Sequence, residues 1–370
     1  MDLKQIDNYR SLFLNNTPLL DVRAPIEFDQ GAFPLAQNFP IMNDEERESI
    51  GLKYKNAGQD EAIKLGHQLI QGEIKNIRVN HWEHFFNQYP EGILYCFRGG
   101  MRSKITQQWI YEQTGLIFPR VKGGYKAMRR FLIDELDHSV EKFQPIILGG
   151  RTGIGKTILL NKLSQSIDLE GLFHHRGSVF GKHVTPQPSQ IDIENNCSIA
   201  LLKFCEKKVS HLLFEDEAPN IGSRRIPLVL FNKMQTSPLI QLQASIEQRI
   251  DITFQEYITE ALTEHQNFYG DEIGFNQWSE QLNISIDKIQ RRLGGCRYKQ
   301  LKNLLSNALN QHLKNDDKNF HKEWIKSLLV DYYDPMYDYQ FSKKEQRVIF
   351  KGTHQEVIEF LFEKYEFNLE

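Results

Sequence analysis

The sequence predicts an α/β protein with two parallel-sheet domains and a helical extension. Three observations carry that expectation. Short apolar runs alternate with helical patterns through the first 160 residues, the order that parallel sheets with crossover helices produce. Twice, near residues 92–103 and 145–160, such a run ends in a glycine-rich loop that opens a helix. At about 150 residues per domain, 370 residues make two domains with an appendage.

Taken in order, Pro18-Leu-Leu-Asp-Val-Arg23 reads as a short buried strand and Gly92-Ile-Leu-Tyr-Cys96 as another. The polar stretch between them, Asp44 to about Phe86, reads as helical, and so does Ser103 to Gln113. The charged segment Glu135–Gln144 is the expected domain border. Pro145-Ile-Ile-Leu-Gly-Gly150 begins a second strand–loop–helix unit, with its helix from about Lys156. Beyond about Ser245 the pattern is mostly helical, and no internal repeat or low-complexity tract interrupts it. The expected domains are therefore 12–136, 137–245 and a mostly helical 246–370 that can belong to the second.

Composition narrows the classes. Hydrophobic residues are 40% and charged residues 25% of the chain, and 45 Lys and Arg against 48 Asp and Glu leave a net charge of −3. These values exclude a disordered polyelectrolyte, a collagen and a disulfide miniprotein, and give no global sign of nucleic-acid binding. The four cysteines, Cys96, Cys197, Cys205 and Cys296, form no C-x-x-C pair, so no dedicated protein metal site is expected. His174, His175 and His183 read as loop histidines rather than ligands. No apolar run reaches the ~18 residues of a membrane span and no signal-like segment opens the chain. A reduced, cytoplasmic protein without a membrane partner is expected.

Residues 95–103 read Tyr-Cys-Phe-Arg-Gly-Gly-Met-Arg-Ser. A thiol at a strand end, on a tight loop that opens a helix, faces backbone N–H donors that stabilise a thiolate and bind anions. Phe97, Gly99, Gly100 and Met101 form that anion loop, Gly99 and Gly100 let it curl, and Arg98 and Arg102 add positive charge. Residues 150–157, Gly-Arg-Thr-Gly-Ile-Gly-Lys-Thr, match G-x-x-x-x-G-K-[ST] in the required strand–loop–helix setting. Gly150, Gly153 and Gly155 would cradle a diphosphate or triphosphate, Lys156 would reach a terminal phosphate, and the Thr157 hydroxyl would hold Mg2+. Val209–Glu217 reads as a strand ending in acids, with Glu215 and Asp216 as alternative members of the magnesium shell. Asn232-Lys-Met-Gln lacks the Asp of a guanine-reading motif. His174–Gly181 reads as a second loop near the phosphates.

Asp21-Val-Arg-Ala-Pro-Ile-Glu-Phe, Gly31–Pro40 and the Cys96 loop together resemble the rhodanese-homology domain. Its loop commonly has four residues between Cys and Arg; here there are five, as in Cys-dependent phosphatases, which widens the cradle. Joined to the P-loop, and with Tyr54–Gly66, Gly123–Arg130, His175–Gly181 and Glu215-Asp-Glu, the chain resembles the tRNA 2-selenouridine synthases over about residues 12–300. That resemblance implies a transferase acting in tRNA processing. The resemblance implies that it would convert wobble 2-thiouridine to 2-selenouridine by S-geranylation with geranyl diphosphate, then selenation with selenophosphate through a selenylated Cys96. It implies no tightly bound cofactor, only these substrates and Mg2+. Selenophosphate suits the Cys96–Arg102 cradle, and geranyl diphosphate suits Gly150–Thr157.

For tRNA, Lys122, Lys126, Arg129 and Arg130, with Arg120, put +5 on residues 120–130. Residues 286–303 carry a net +5, with Arg291, Arg292 and Arg297 at their centre. Such segments release counterions from phosphate backbones. The alternatives are a plain sulfurtransferase or Cys phosphatase fused to a regulatory ATPase, and a non-enzymatic RNA-binding module. Tolerance of Cys96 loss would favour the second.

Overall fold

Two separate five-stranded parallel sheets organise the computed structural model, which describes residues 4–369. The first contains β1 (Gln5–Ile6), β2 (Leu19–Asp21), β3 (Ala36–Asn38), β4 (Ile93–Tyr95) and β5 (Arg120–Val121), in the order β1-β5-β4-β2-β3. The second contains β6 (Gln144–Gly149), β7 (Ser166–Ile167) and β8 (His211–Glu215). After a small ribbon of β9 (Asn220–Ile221) and β10 (Arg224–Arg225), it adds β11 (Leu239–Leu242) and β12 (Val348–Gly352), in the order β12-β11-β6-β8-β7. Loop-bearing β4 and β6 are each the central strand of their sheet, so both are buried on two faces and read as continuous apolar runs.

In the first sheet, Leu19, Leu20 and Asp21 pair with Ile93, Leu94 and Tyr95. The two-residue period of a strand then sorts the core. Leu20, Val22, Leu94 and Cys96 pack on one face with Trp82 and Trp109. Leu19, Ile93, Tyr95 and Val121 pack on the other with Leu12, Phe13, Met128 and Leu132. The long polar stretch forms two helices, Asp44–Leu69 and Gly72–Gln88. The first starts at a reciprocal cap: Glu46 N–H donates to Asn43 Oδ1 and Asn43 N–H donates to Glu46, both at 2.8 Å. It is interrupted at Gly58, whose φ of 82° breaks the helical geometry, and residues 51–60 are all exposed.

The two compact units do not follow the expected borders. One is the chain up to Ser139 with Ser189–Glu206; the other is Val140–Pro188 with everything from Lys207 on. The charged segment after Glu135 is no linker, because the helix Gly124–Val140 runs through it almost directly into β6. The helix Gln190–Glu206, expected in the P-loop domain, packs with the first unit. Ile199 and Leu202 enter its core, Ser198 Oγ donates to the Leu132 carbonyl at 2.7 Å, and Asn195 Nδ2 donates to the Ala32 carbonyl at 2.7 Å.

The segment after Ser245 is helical, starting at a Ser245/Gln248 cap, and buries Trp278, Leu282, Ile286, Leu305 and Trp324 in a core of its own. It is not a detached appendage. The chain returns as β12, pairing with β11, and the helix His354–Tyr365 buries Val357 and Leu361 beside Leu148 and Leu159. Among the described residues, no helix is long and apolar enough to cross a membrane.

Candidate functional site

The Cys96 loop is built by close backbone contacts. Gly99 has φ 63°, and a Cβ there would lie 2.7 Å from the Gly123 nitrogen and the Val121 carbonyl. A Cβ on Gly124 would strike the Cys96 carbonyl at 2.1 Å. The Gly123-Gly124 turn therefore lies directly against the loop, and Tyr125 and Lys126 N–H groups donate to the Cys96 and Phe97 carbonyls at 2.9 Å. Arg120 adds a bond to the Gly99 carbonyl. The thiol of Cys96, 2% exposed, donates to Ser103 Oγ at 3.2 Å. Ser103 in turn donates to the Gly100 carbonyl at 3.1 Å. The helix Met101–Thr114 starts immediately after Gly100.

Two expectations for this loop change. Arg102 is not a free phosphate clamp: its fork grips Glu27, with Nη1–Oε2 at 2.5 Å and Nη2–Oε1 at 3.1 Å. Arg47 approaches the same carboxylate at 3.3 Å. Burial favours protonation of Glu27, but the hydrogen bonds and charge of Arg102, the Ala24 N–H and the charge of Arg47 together outweigh it and hold the carboxyl below its ordinary value. Arg98 is exposed and sits 5.8 Å from the centroid of the Phe97 ring. An open cavity of about 870 Å3 lies against the loop, lined by Phe97, Arg102, Arg47, Lys55, Glu27 and Tyr125. Sequence reasoning missed Glu27, Arg47 and Ser103, although Glu27 lies inside a segment that carried the resemblance.

In the second unit, Gly153 and Gly155 take φ of 72° and 79°. A Cβ on Gly153 would meet Thr253 Oγ1 at 2.2 Å. Arg249 donates to the Thr152 carbonyl at 3.0 Å and is itself held by Asp334 at 2.7 Å. The helix after the loop is a single short turn, Lys156–Leu160. Glu215, fully buried, accepts from Thr157 Oγ1 at 3.2 Å and from Leu169 N–H at 3.1 Å. Asp216 instead pairs with Lys344 at 2.6 Å. Of the two acids the sequence left open, Glu215 is the one beside Thr157.

The cavity at this loop is narrow, about 40 Å3, and Glu170, Arg176, Ser178, Glu256, Tyr257 and Tyr337 complete its wall. The His174–Gly181 loop thus supplies Arg176 and Ser178. The helical tail supplies Tyr337, and His354 lies 3.1 Å from the Gly155 carbonyl. Burial acts against the Lys156 charge, but Tyr337, Glu170, Glu217 and Glu215 outweigh it and keep the ammonium protonated well above its usual range. Burial, then Glu170, pushes Glu256 up to about 7. Burial, then mutual repulsion with Glu170, also raises Glu215.

His174 and His183 stack with centroids 4.1 Å apart, and Glu264 joins them within reach of a shared metal ion. That carboxylate also accepts from Arg176 at 2.9 Å and Val184 N–H at 3.1 Å. His175 stands apart, its ring held near 4 by burial.

The two basic segments separate in character. Arg120 is buried against the Cys96 loop, and Arg129 is tied to Glu194 and Asn195. Lys122 and Arg130 are exposed but pair with Asp7 and Asp134, and Lys126 is exposed. Five basic residues therefore do not make a five-charge surface. Arg291, Arg292 and Arg297 are all exposed, around the turn joining helices Asp271–Leu293 and Gly295–Asn315.

A family model described as the tRNA 2-selenouridine synthase AAA domain matches residues 143–367. The tRNA 2-selenouridine synthase of Sulfurovum sp. is 47% identical over 362 residues, spanning 98% of this chain and 99% of its own. The enzymes of that name from Marinobacter nauticus and Bordetella petrii are 49% and 46% identical, each over 96% of this chain and 96% and 95% of their own.

Proposed function

The chain belongs to the tRNA 2-selenouridine synthase family, and we propose that it is a tRNA-modifying enzyme that exchanges the sulfur of a wobble 2-thiouridine for selenium. The observation that carries this reading is the pairing, on one chain, of a thiol-bearing loop with a Lys–Thr–Glu diphosphate loop, each leaving the central strand of a parallel sheet.

The reaction has two steps. First, the thiocarbonyl sulfur attacks the carbon of geranyl diphosphate that bears oxygen; the C–O bond breaks and pyrophosphate leaves. Gly150, Gly153, Gly155 and Lys156 hold the diphosphate. Thr157 and Glu215 would hold a Mg2+ ion, which would offset charge on the departing phosphates. Among the described residues, these groups fit a magnesium ion: a hydroxyl and a carboxylate, both oxygen donors, converge at 3.2 Å. The residues performing this step stabilise a leaving group and need no nucleotide hydrolysis. Second, the selenium of selenophosphate held at the Cys96 loop attacks C2 of the base; the C–S bond breaks and geranylthiol leaves on a proton from the Cys96 thiol. Water then cleaves the Se–P bond to release phosphate and 2-selenouridine. Ser103 orients the sulfur, and Arg102 and Arg47 face the donor anion beside Glu27. tRNA is held on exposed Arg291, Arg292 and Arg297, with Lys122, Lys126 and Arg130 as a weaker second surface.

The test is a Cys96→Ser chain given thiolated tRNA, geranyl diphosphate and selenophosphate, with nucleosides read by mass spectrometry. S-geranyl nucleoside should accumulate and 2-selenouridine should be absent. Formation of 2-selenouridine at the unaltered rate would remove Cys96 from the chemistry.

A further inference from the structure

A second cavity, about 270 Å3, lies in the first unit and is unlike the first. Ile50, Ile63, Ile70, Met101, Ile105 and Trp109 give it apolar walls. It adjoins the polar cavity over the Cys96 loop, since Met42, Ile50, Tyr54 and Arg102 line both. Met101, which lines the apolar cavity, and Arg102, which lines both, are consecutive residues of the helix that begins at the loop. The outer wall is the helix Asp44–Leu69, whose residues 51–60 are exposed around the break at Gly58. The cavity opens to solvent, and nearly all of its exposed lining is apolar.

We propose that this cavity binds an acyclic isoprenoid chain, so that the unit bearing Cys96 itself holds the geranyl group of the thioether from which selenium displaces it. This rests on the two-step reading above and locates a part of the substrate that reading leaves unplaced. Size agrees: an apolar cavity of roughly 150 Å3 accommodates the six carbons of benzene, so ten carbons scale to ~250 Å3. Chemistry agrees as well. The polar cavity suits a nucleotide and a phosphate-sized anion, the apolar one suits only hydrocarbon, and an S-geranyl nucleotide has both parts joined at one sulfur. Seating the chain here directs the C–S bond toward the loop and leaves geranylthiol bound where water is scarce.

Gly66 offers a clean probe. It faces this cavity within a helix, and a Cβ there would touch only Ile50 Cδ1, at 3.5 Å. Gly66→Phe fills the cavity without a backbone clash, and Gly66→Ala leaves it open. Binding of anticodon stem-loops carrying S-geranyl-2-thiouridine or 2-thiouridine is measured by anisotropy with the full chain. The unaltered chain should prefer the geranylated stem-loop by about tenfold or more. Gly66→Phe should lose that preference while still binding the thiouridine stem-loop, and Gly66→Ala should keep it. Free geranylthiol should compete with the geranylated stem-loop alone. No preference in the unaltered chain, an intact preference in Gly66→Phe, or absence of competition by geranylthiol each overturns the proposal. These are binding readouts. Failure of the unaltered chain to consume geranyl diphosphate would instead sink the two-step reading.

Discussion

The Cys96 loop and the P-loop leave equivalent central strands and open onto helices, yet they balance charge in opposite senses. At the first, Arg23, Arg47, Lys55 and Arg102 outnumber Glu27 and Glu48 around an open, partly apolar hollow. At the second, Lys156 and Arg176 stand among Glu170, Glu215, Glu217 and Glu256 in a narrow slot. The first is ready for an anion as it stands. On the reading proposed above, a diphosphate would enter the second together with a dication, whose charge would favour the ionised form of carboxyls that burial shifts towards protonation.

The most severe way to break this contrast is Lys156→Ala, which removes the cation from an acid-rich slot. S-geranylation should fall by about 10²–10³-fold, measured as geranyl-tRNA yield, while Cys96 still reacts with thiol probes; an unchanged yield would place the diphosphate elsewhere. Next is Glu27→Ala, which strands Arg102. Losing charge-assisted bonds of this kind costs ~1–3 kcal/mol, and urea unfolding should register it together with altered phosphate affinity at the first loop only.

A third test sharpens the contrast through pH. Glu256 holds its proton up to about 7 in the fold against an ordinary 4.5. The folded state therefore binds more protons across that window. The stability it contributes is complete below 4.5 and is lost as pH rises through 7. The thermal midpoint of metal-free protein should decline over pH 4.5–7, and Glu256→Gln should flatten the decline. A midpoint that rises there would reverse the sign assigned to this acid. A smaller effect is expected from Arg291→Glu with Arg292→Glu, which should lower the salt slope of tRNA binding by about one per lost phosphate contact. Equal reversal at Lys122 and Lys126 should do less, because Lys122 is already paired with Asp7.

Both loops were legible in the sequence because their chemistry is local: Cys96 to Ser103 and Gly150 to Thr157 each lie within one strand–loop–helix turn. Partners brought by the fold were not. Glu27 reaches Arg102 across 75 positions, Asp334 reaches Arg249 across 85, and His354 reaches Gly155 across 199; no spacing rule connects them. The last seventy residues carried no motif for the same reason. Their contribution is a strand edge and single side chains, Tyr337, Lys344 and His354, set around a loop made far upstream. Charge counting failed at residues 120–130 because Arg120 and Arg129 serve internal bonds, which a sum over sequence cannot register.

The placement of the helix Gln190–Glu206 has a consequence for how such a gene can change. One unit's polypeptide is interrupted by the other's P-loop, and the second resumes after the insertion. Neither is a cassette. An open reading frame stopped after residue 136 would encode the thiol loop but not Ile199 and Leu202, whose partners Leu12, Phe13 and Leu132 would then face water. During translation, the first unit cannot close until the ribosome has passed both loops. Recombination at the sequence border would yield two incomplete products, so the two chemistries are inherited together.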